Sequence, residues 1–285
     1  MQALVYTLRE LGHEVVPPTT DGFNVDKTAR PIVFGAQNMD SIDDPRDQGS
    51  FCPPNAILFN TEQLGAVGAV PKRIFDAVKT WKNRVVWDYS QTNAAALRKL
   101  GVEHVIHCPV GYSPAMSRIE ALPLEKEDID VLFYGSVEPP QRIIGMHKSG
   151  IKVMDRGKIL SDLRRAGLKV EHVFGVYNRD LDSYVARAKV VLNLHYYEGG
   201  VFEIFRCSHL LANKKCVVTE DGGIDRELEF FAKKSMCYVE RCEIVETCKM
   251  LVADPDMRQV HGDQSFKEFT KTSLAESVKH ALEQS

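Results

Sequence analysis

Short apolar runs recur along this chain, and amphipathic helical stretches fill the gaps between them. Residues 31–34 (Pro-Ile-Val-Phe), 56–59 (Ala-Ile-Leu-Phe), 84–87 (Arg-Val-Val-Trp) and 104–107 (His-Val-Ile-His) are too short for helices and read as strands. Residues 74–81 and 91–100 carry helical spacing; Ser90 stands where an N-cap belongs, and Gly101 marks the end of the second helix. Strands alternating with helices in this way imply a parallel sheet covered on both faces. The chain opens on a helix, with Leu4, Leu8 and Leu11 on one face and a stop at Gly12, followed by an expected short strand over 14–17. Such a helix usually follows a strand in α/β proteins, so the first domain is expected to be shortened at its N-terminus.

A charged stretch over 122–130 interrupts the rhythm, which then restarts. Strands are expected at 131–134, 169–173, 190–192 and 216–218, with helices over 157–166, 181–188 and 205–212 between them. The expected fold class is therefore α/β, with two Rossmann-like domains facing a cleft. Their bounds are placed at 1–118 and 119–264, and a last helix within 265–285 is expected to pack back across the hinge.

Lysine and arginine number 36 and aspartate and glutamate 39, a formal charge of −3 that supplies no global basic excess for nucleic acid or membrane. No stretch reaches the ~20 apolar residues of a membrane span, and the N-terminus lacks a signal peptide's basic start and apolar core. The seven cysteines are odd in number, several lie within apolar runs, and none forms a short CxxC pair. They read as reduced thiols in a cytoplasmic protein, with no metal site.

Ligands of open α/β sheets bind outside the carboxyl ends of the strands. Those ends run into Gly135-Ser136, into Asn193-Leu-His195-Tyr196-Tyr-Glu198-Gly-Gly200, and into Thr219-Glu220-Asp-Gly-Gly223. Gly135 and Ser136 would let the backbone approach a phosphate at a following helix N-terminus. Glu203 and Arg206, three apart at the start of a helix, can pair on one face. They sit among Phe202, Ile204, Phe205, Leu210 and Leu211, and charges kept inside an apolar segment need a partner or a job.

These residues resemble a family. Asn193-Leu-His-Tyr-Tyr, Phe202-Glu-Ile-Phe-Arg206 and Leu210-Leu-Ala-Asn-Lys-Lys-Cys-Val-Val-Thr-Glu220 resemble the donor half of GT-B nucleotide-sugar glycosyltransferases, most of all the retaining, family-4-like and CgeB-like enzymes of bacteria and phages. Phe34-Gly-Ala, Asn60-Thr-Glu-Gln63, Trp87-Asp-Tyr-Ser90 and Pro109-Val-Gly-Tyr-Ser-Pro114 are similar to that group's N-terminal domain, so the resemblance spans about residues 1–225. It implies a nucleotide-sugar donor, such as a UDP- or GDP-sugar, with no further cofactor and no metal. Its acceptor could be a glycan, small molecule, protein or modified DNA base. Glu203, Arg206 and His195 become the candidate catalytic residues. Gly135, Ser136, Asn193, Tyr196, Glu198 and Glu220 become candidate donor contacts, together with Arg142, Arg156 or Lys158 as the cation at the diphosphate. Many relatives carry two glutamates separated by seven residues, and here position 206 is arginine, so that pattern is not intact.

Other classes compete. A catalytically degenerate GT-B scaffold and a phage-type DNA-base glycosyltransferase stand as alternatives. A GT-A enzyme would hold a divalent metal with Asp-x-Asp, which Asp128-Ile-Asp130, Asp180-Leu-Asp182 and Asp254-Pro-Asp256 match by letter but not at a strand's carboxyl end. Gly65-Ala-Val-Gly68 lacks the GxGxxG spacing of a dinucleotide site.

Overall fold

A computed structural model describes residues 1–16, 29–36, 52–64, 72–137 and 154–285. The chain divides into two compact units, Met1–Val110 with Leu274–Ser285, and Gly111–Ser273. These bounds differ from the 118 and 264 expected from sequence.

In the first unit, β1 (Ile32–Phe34), β2 (Ile57–Asn60), β3 (Val85–Asp88) and β4 (His104–His107) form a parallel sheet in chain order. The helices α2 (Lys72–Lys79) and α3 (Gln91–Lys99) connect β2 to β3 and β3 to β4. Ser90 Oγ accepts the Asn93 amide at 3.1 Å and caps α3, while Gly101 takes φ +91° past its end. Trp81, Val86 and Leu97 are fully buried in the core. The first helix, α1 (Gln2–Glu10), packs with the last, α10 (Leu274–Glu283), and Trp87 Nε1 donates to Ser285 Oγ at 2.9 Å. The short strand expected over 14–17 is absent at 14–16, which are irregular; residue 17 lies outside the described residues.

The second unit holds β5 (Ile129–Tyr134), α4 (Arg156–Arg165), β6 (Val170–Val173), α5 (Asn178–Arg187), β7 (Ala188–Asn193), α6 (Ile204–Ala212), β8 (Val217–Glu220), α7 (Arg226–Ser235), β9 (Cys237–Val239), α8 (Ile244–Ala253) and α9 (Pro255–Phe269). The strands are all parallel in the order β6-β5-β7-β8-β9. The chain therefore leaves β5 towards β6 and returns to build outward on the opposite side. That reversal opens a crevice between the carboxyl ends of β5 and β7, where open α/β sheets take their ligands. Val131, Phe133, Val190, Leu192 and Val218 supply the buried core under α4 and α8.

The expected terminal helix is two helices. Residues 265–269 finish α9, and the chain breaks at Thr270-Lys-Thr-Ser273, where Tyr112 N–H donates to Thr272 O at 2.7 Å. Capture of that carbonyl and the seating of Phe269 against Tyr112, ring centroids 6.1 Å apart, offer a turn in place of continued helix. The three-residue strand β9 falls in the short run Met236-Cys-Tyr-Val239, to which the sequence reading assigns no strand.

Candidate functional site

Gly135 ends β5 with φ +137°, a conformation open to glycine and rarely to other residues. Its amide donates to Val173 O at 3.0 Å and its carbonyl meets His172 Nε2 at 2.8 Å, so the turn is fixed from β6. A Cβ at this position would lie 3.3 Å from Arg206 Nη2 and 3.8 Å from Arg156 Nη1. Two guanidinium groups thus converge on one stretch of bare backbone at the switch point. Both also lie near the Phe133 ring, at 5.5 Å for Arg156 and 5.8 Å for Arg206.

Arg156 opens α4, whose N-cap is Asp155, and is only 3% exposed. It donates from Nε to His195 O at 3.1 Å, from Nη1 to Ser136 O at 3.0 Å and from Nη2 to Leu194 O at 2.6 Å. Burial and the neighbouring Arg206 charge push its pKa down to about 10, so it stays protonated at neutral pH. Arg206, in the first turn of α6, donates from Nη1 to Asn193 Oδ1 at 2.9 Å, and Tyr134 O–H donates to its carbonyl at 2.9 Å.

Glu203 does not stand on the helical face with Arg206. It precedes α6 with φ −78° and ψ 56°, outside helical geometry, and its carboxylate turns to the end of β7. Oε2 meets His195 Nδ1 at 3.0 Å and accepts Asn193 Nδ2 at 3.2 Å, and Oε1 lies 3.9 Å from Arg156 Nη2. Asn193 therefore bridges Glu203 to Arg206, and it also donates to Thr219 Oγ1 at 3.0 Å. Burial would raise the Glu203 carboxyl, but His195 and the two arginines hold it well below the usual carboxylate range. Burial likewise works against the His195 imidazolium, and the Glu203 carboxylate overcomes it, raising the pKa to about 9. Each group thus favours the charged form of the other.

Among the described residues, three buried side-chain atoms near these strand ends have no hydrogen-bond partner: His195 Nε2, Tyr196 OH and Glu229 Oε1. A protonated His195 has an Nε2–H to give. Tyr196 stacks on Arg156, with Cζ 4.9 Å from the ring centre. Glu220 is buried at the end of β8, where it accepts the His195 amide at 2.5 Å and pairs with Arg241 Nη1 at 2.5 Å.

The structure thus gathers Gly135, Ser136, Arg156, Asn193, His195, Tyr196, Glu203, Arg206 and Glu220 in one bonded neighbourhood. Lys158 is exposed on α4 and pairs with Asp162 at 2.6 Å, away from this cluster's contacts, and Glu198 is exposed on the loop after β7. Arg142 lies outside the described residues. Sequence reasoning missed Tyr134, which directly precedes Gly135-Ser136, and also Arg241 and Glu229, which adjoin no motif. Only the rule that strand ends gather ligands could have raised Tyr134.

The Asp-x-Asp matches are engaged elsewhere. Asp128 pairs with Arg187 at 2.6 Å and Asp130 with Lys189 at 2.7 Å, both at the amino end of β5. Asp182 holds Arg118 at 2.8 Å and His209 at 2.7 Å, and Asp254 caps α9. Among the described residues no helix is long and apolar enough to cross a membrane.

No family model matches the chain. An uncharacterized protein of Acanthamoeba polyphaga mimivirus is 31% identical over 105 residues, 36% of this chain and 10% of that protein. Among solved structures, S. aureus TarM matches with TM-score 0.53 at 14% identity, over 81% of this chain and 50% of TarM. Anabaena HepE in complex with UDP-glucose matches with TM-score 0.52 at 12% identity, over 80% of this chain and 71% of HepE. The fold is GT-B. Sucrose-phosphate synthase of Thermosynechococcus elongatus shares it, with TM-score 0.52 at 14% identity over 80% of this chain and 67% of the other. The chain thus spans a tenth of its viral relative and half of TarM.

Proposed function

We propose that this GT-B chain is a glycosyltransferase that takes a sugar from a nucleoside-diphosphate donor. One observation carries the reading: Arg156 and Arg206 converge on Gly135 at the switch point of the second unit's sheet. Arg156, Arg206 and a protonated His195 outnumber the Glu203 carboxylate set among them, an excess of positive charge that a further anion would offset, and a diphosphate is the anion this fold's solved relative HepE holds as part of UDP-glucose. The guanidiniums would meet the charge that grows on the diphosphate as the glycosidic bond breaks. His195, kept protonated by Glu203, would offer Nε2–H to a donor oxygen. With three cationic groups in this role, transfer proceeds without a divalent metal, and the resemblance to family-4-like enzymes supports retention of configuration at the anomeric carbon.

A thermal-shift panel of UDP-, GDP-, CMP- and dTDP-sugars, followed by mass spectrometry of products, tests the reading. A donor at a hundred times Kd should stabilise the chain by about 2.7 kcal/mol. Indifference to every nucleotide sugar would overturn the assignment, and binding without transfer or hydrolysis would point to a scaffold.

A further inference from the structure

Four elements of the second unit close into one ring of hydrogen bonds. Arg241, in the turn of helix between β9 and α8, donates from Nη1 to Glu220 Oε2 at 2.5 Å and from Nη2 to Asp155 O. Glu220 Oε1 accepts the His195 amide at 2.5 Å. The His195 carbonyl accepts Arg156 Nε at 3.1 Å, and Arg156 is bonded through the chain to Asp155. The ring therefore ties the start of α4 to the ends of β7 and β8. Arg241 bonds to Glu220 and Asp155, away from Gly135 and Arg206, yet two of the ring's members are Arg156 and His195.

We infer that Arg241 is a positioning residue: through Glu220 and Asp155 it holds Arg156 and His195 in the geometry that receives the donor's diphosphate. This rests on the donor reading above. The chemistry favours the role. A guanidinium is a planar fork that reaches two acceptors in fixed directions, whereas an ammonium is a point charge on a flexible stem. Glu220 is almost wholly buried and needs a cation, and Arg241 is more exposed, with its side chain 28% accessible. The Glu220 carboxylate links that peripheral cation to the loop carrying His195. Without the bond to Asp155 O, the start of α4 would lose one of its fixed points, and the backbone that carries Arg156 would be freer to shift against the ends of β7 and β8.

The test uses the full chain and two readouts. The first is the Arg156 Nε–H resonance, assigned by an Arg156→Lys variant and protected in the wild type by its bond to His195. The second is calorimetric affinity for UDP beside uridine, which lacks the diphosphate. Arg241→Lys should expose the Arg156 Nε–H to exchange and weaken UDP by at least about tenfold, leaving uridine unchanged. Arg241→Ala leaves a buried carboxylate without its cation, so a second variant, Glu220→Gln with Arg241→Met, removes both charges and retains an oxygen for the His195 amide. It should fold and show the same selective loss for UDP. A folded variant with an unaltered Arg156 resonance and wild-type UDP affinity overturns the inference. An equal loss for UDP and uridine does the same, since it marks a merely structural role. A wild-type chain that binds no UDP or other nucleoside diphosphate overturns the donor reading itself, while the resonance still reports whether Arg241 holds Arg156.

Discussion

Gly135 is where the site makes its strictest demand on a single residue. Its φ of +137° strains any residue with a side chain, and a methyl group there would press on Arg206 Nη2 at 3.3 Å, so that guanidinium would have to give way. Gly135→Ala should cost about 1–2 kcal/mol from the backbone alone, with more from displaced guanidinium, and should weaken nucleotide binding in the fraction that folds. Differential scanning calorimetry beside UDP titration reads both effects. The His195–Glu203 pair makes a pH prediction. The imidazole rises from 6.5 to about 9 on folding, so its stabilising share is complete below about pH 6.5 and is lost as pH climbs through 9. Glu203 moves the opposite way from 4.5, so its share is complete above that value and disappears on acidification. The difference in Tm between wild type and His195→Gln should be widest from pH 4.5 to 6.5 and should shrink by pH 9. A difference that grows with pH would contradict the ionic pair. Glu203→Gln removes the charge that keeps His195 protonated, and should lower kcat/KM by at least about tenfold, as expected for a charged hydrogen bond worth about 1.5–3 kcal/mol. Equal kcat/KM with a lowered Tm would reduce the pair to a structural one.

Helix α6 reaches further than its nine residues suggest. Glu203 and Arg206 stand at its start, and Asn213 follows its end, taking Arg118 N–H at 2.9 Å and Ile119 N–H at 2.8 Å and giving Nδ2 to Met116 O at 2.8 Å. Asn213→Ala strips those partners and should lower stability by about 1–3 kcal/mol, measured by urea unfolding; an unchanged midpoint would show that water replaces them at no cost. The same helix shows what the chain's letters reveal and what they hide. The strands around it were legible because runs such as Val-Val-Leu at 190–192 have few other places to go, and Ser90 announced α3 by its side-chain chemistry. The partner of Glu203 was not legible. Spacing of three suggested Arg206, but that rule holds only inside a helix, and Glu203 lies one residue before it. A glutamate at that boundary is free to turn to the strand end, where His195 waits. The terminal helix was misread for a similar reason: helical spacing on both sides of Thr270-Lys-Thr-Ser273 hides a break made by contacts to Tyr112, more than 150 residues away in sequence.

At the scale of the molecule, the strand order explains why the site is assembled from distant pieces. In β6-β5-β7-β8-β9 the ends of β5, β7 and β8 are neighbours, so Gly135, His195 and Glu220 meet although they are scattered over 86 positions of the sequence. Motifs could flag each strand end separately. The ring through Arg241 exists only once the order is set, which is why no local pattern disclosed it. The GT-B fold shared with TarM and HepE supplies the frame in which Arg156, Arg206 and the His195–Glu203 pair stand. If those cations neutralise the leaving diphosphate, transfer should persist in excess EDTA; loss of activity with rescue by Mn²⁺ would return the role to a metal. The central claim is that the paired arginines exist to hold a diphosphate, and a double-mutant cycle in binding tests it most directly. UDP and uridine are titrated into wild type and into Arg206→Ala, and the diphosphate's contribution to affinity is compared between the two proteins. UDP should gain at least about tenfold over uridine in the wild type, and most of this gain should vanish in the variant. An advantage for UDP that is the same in both proteins would contradict it.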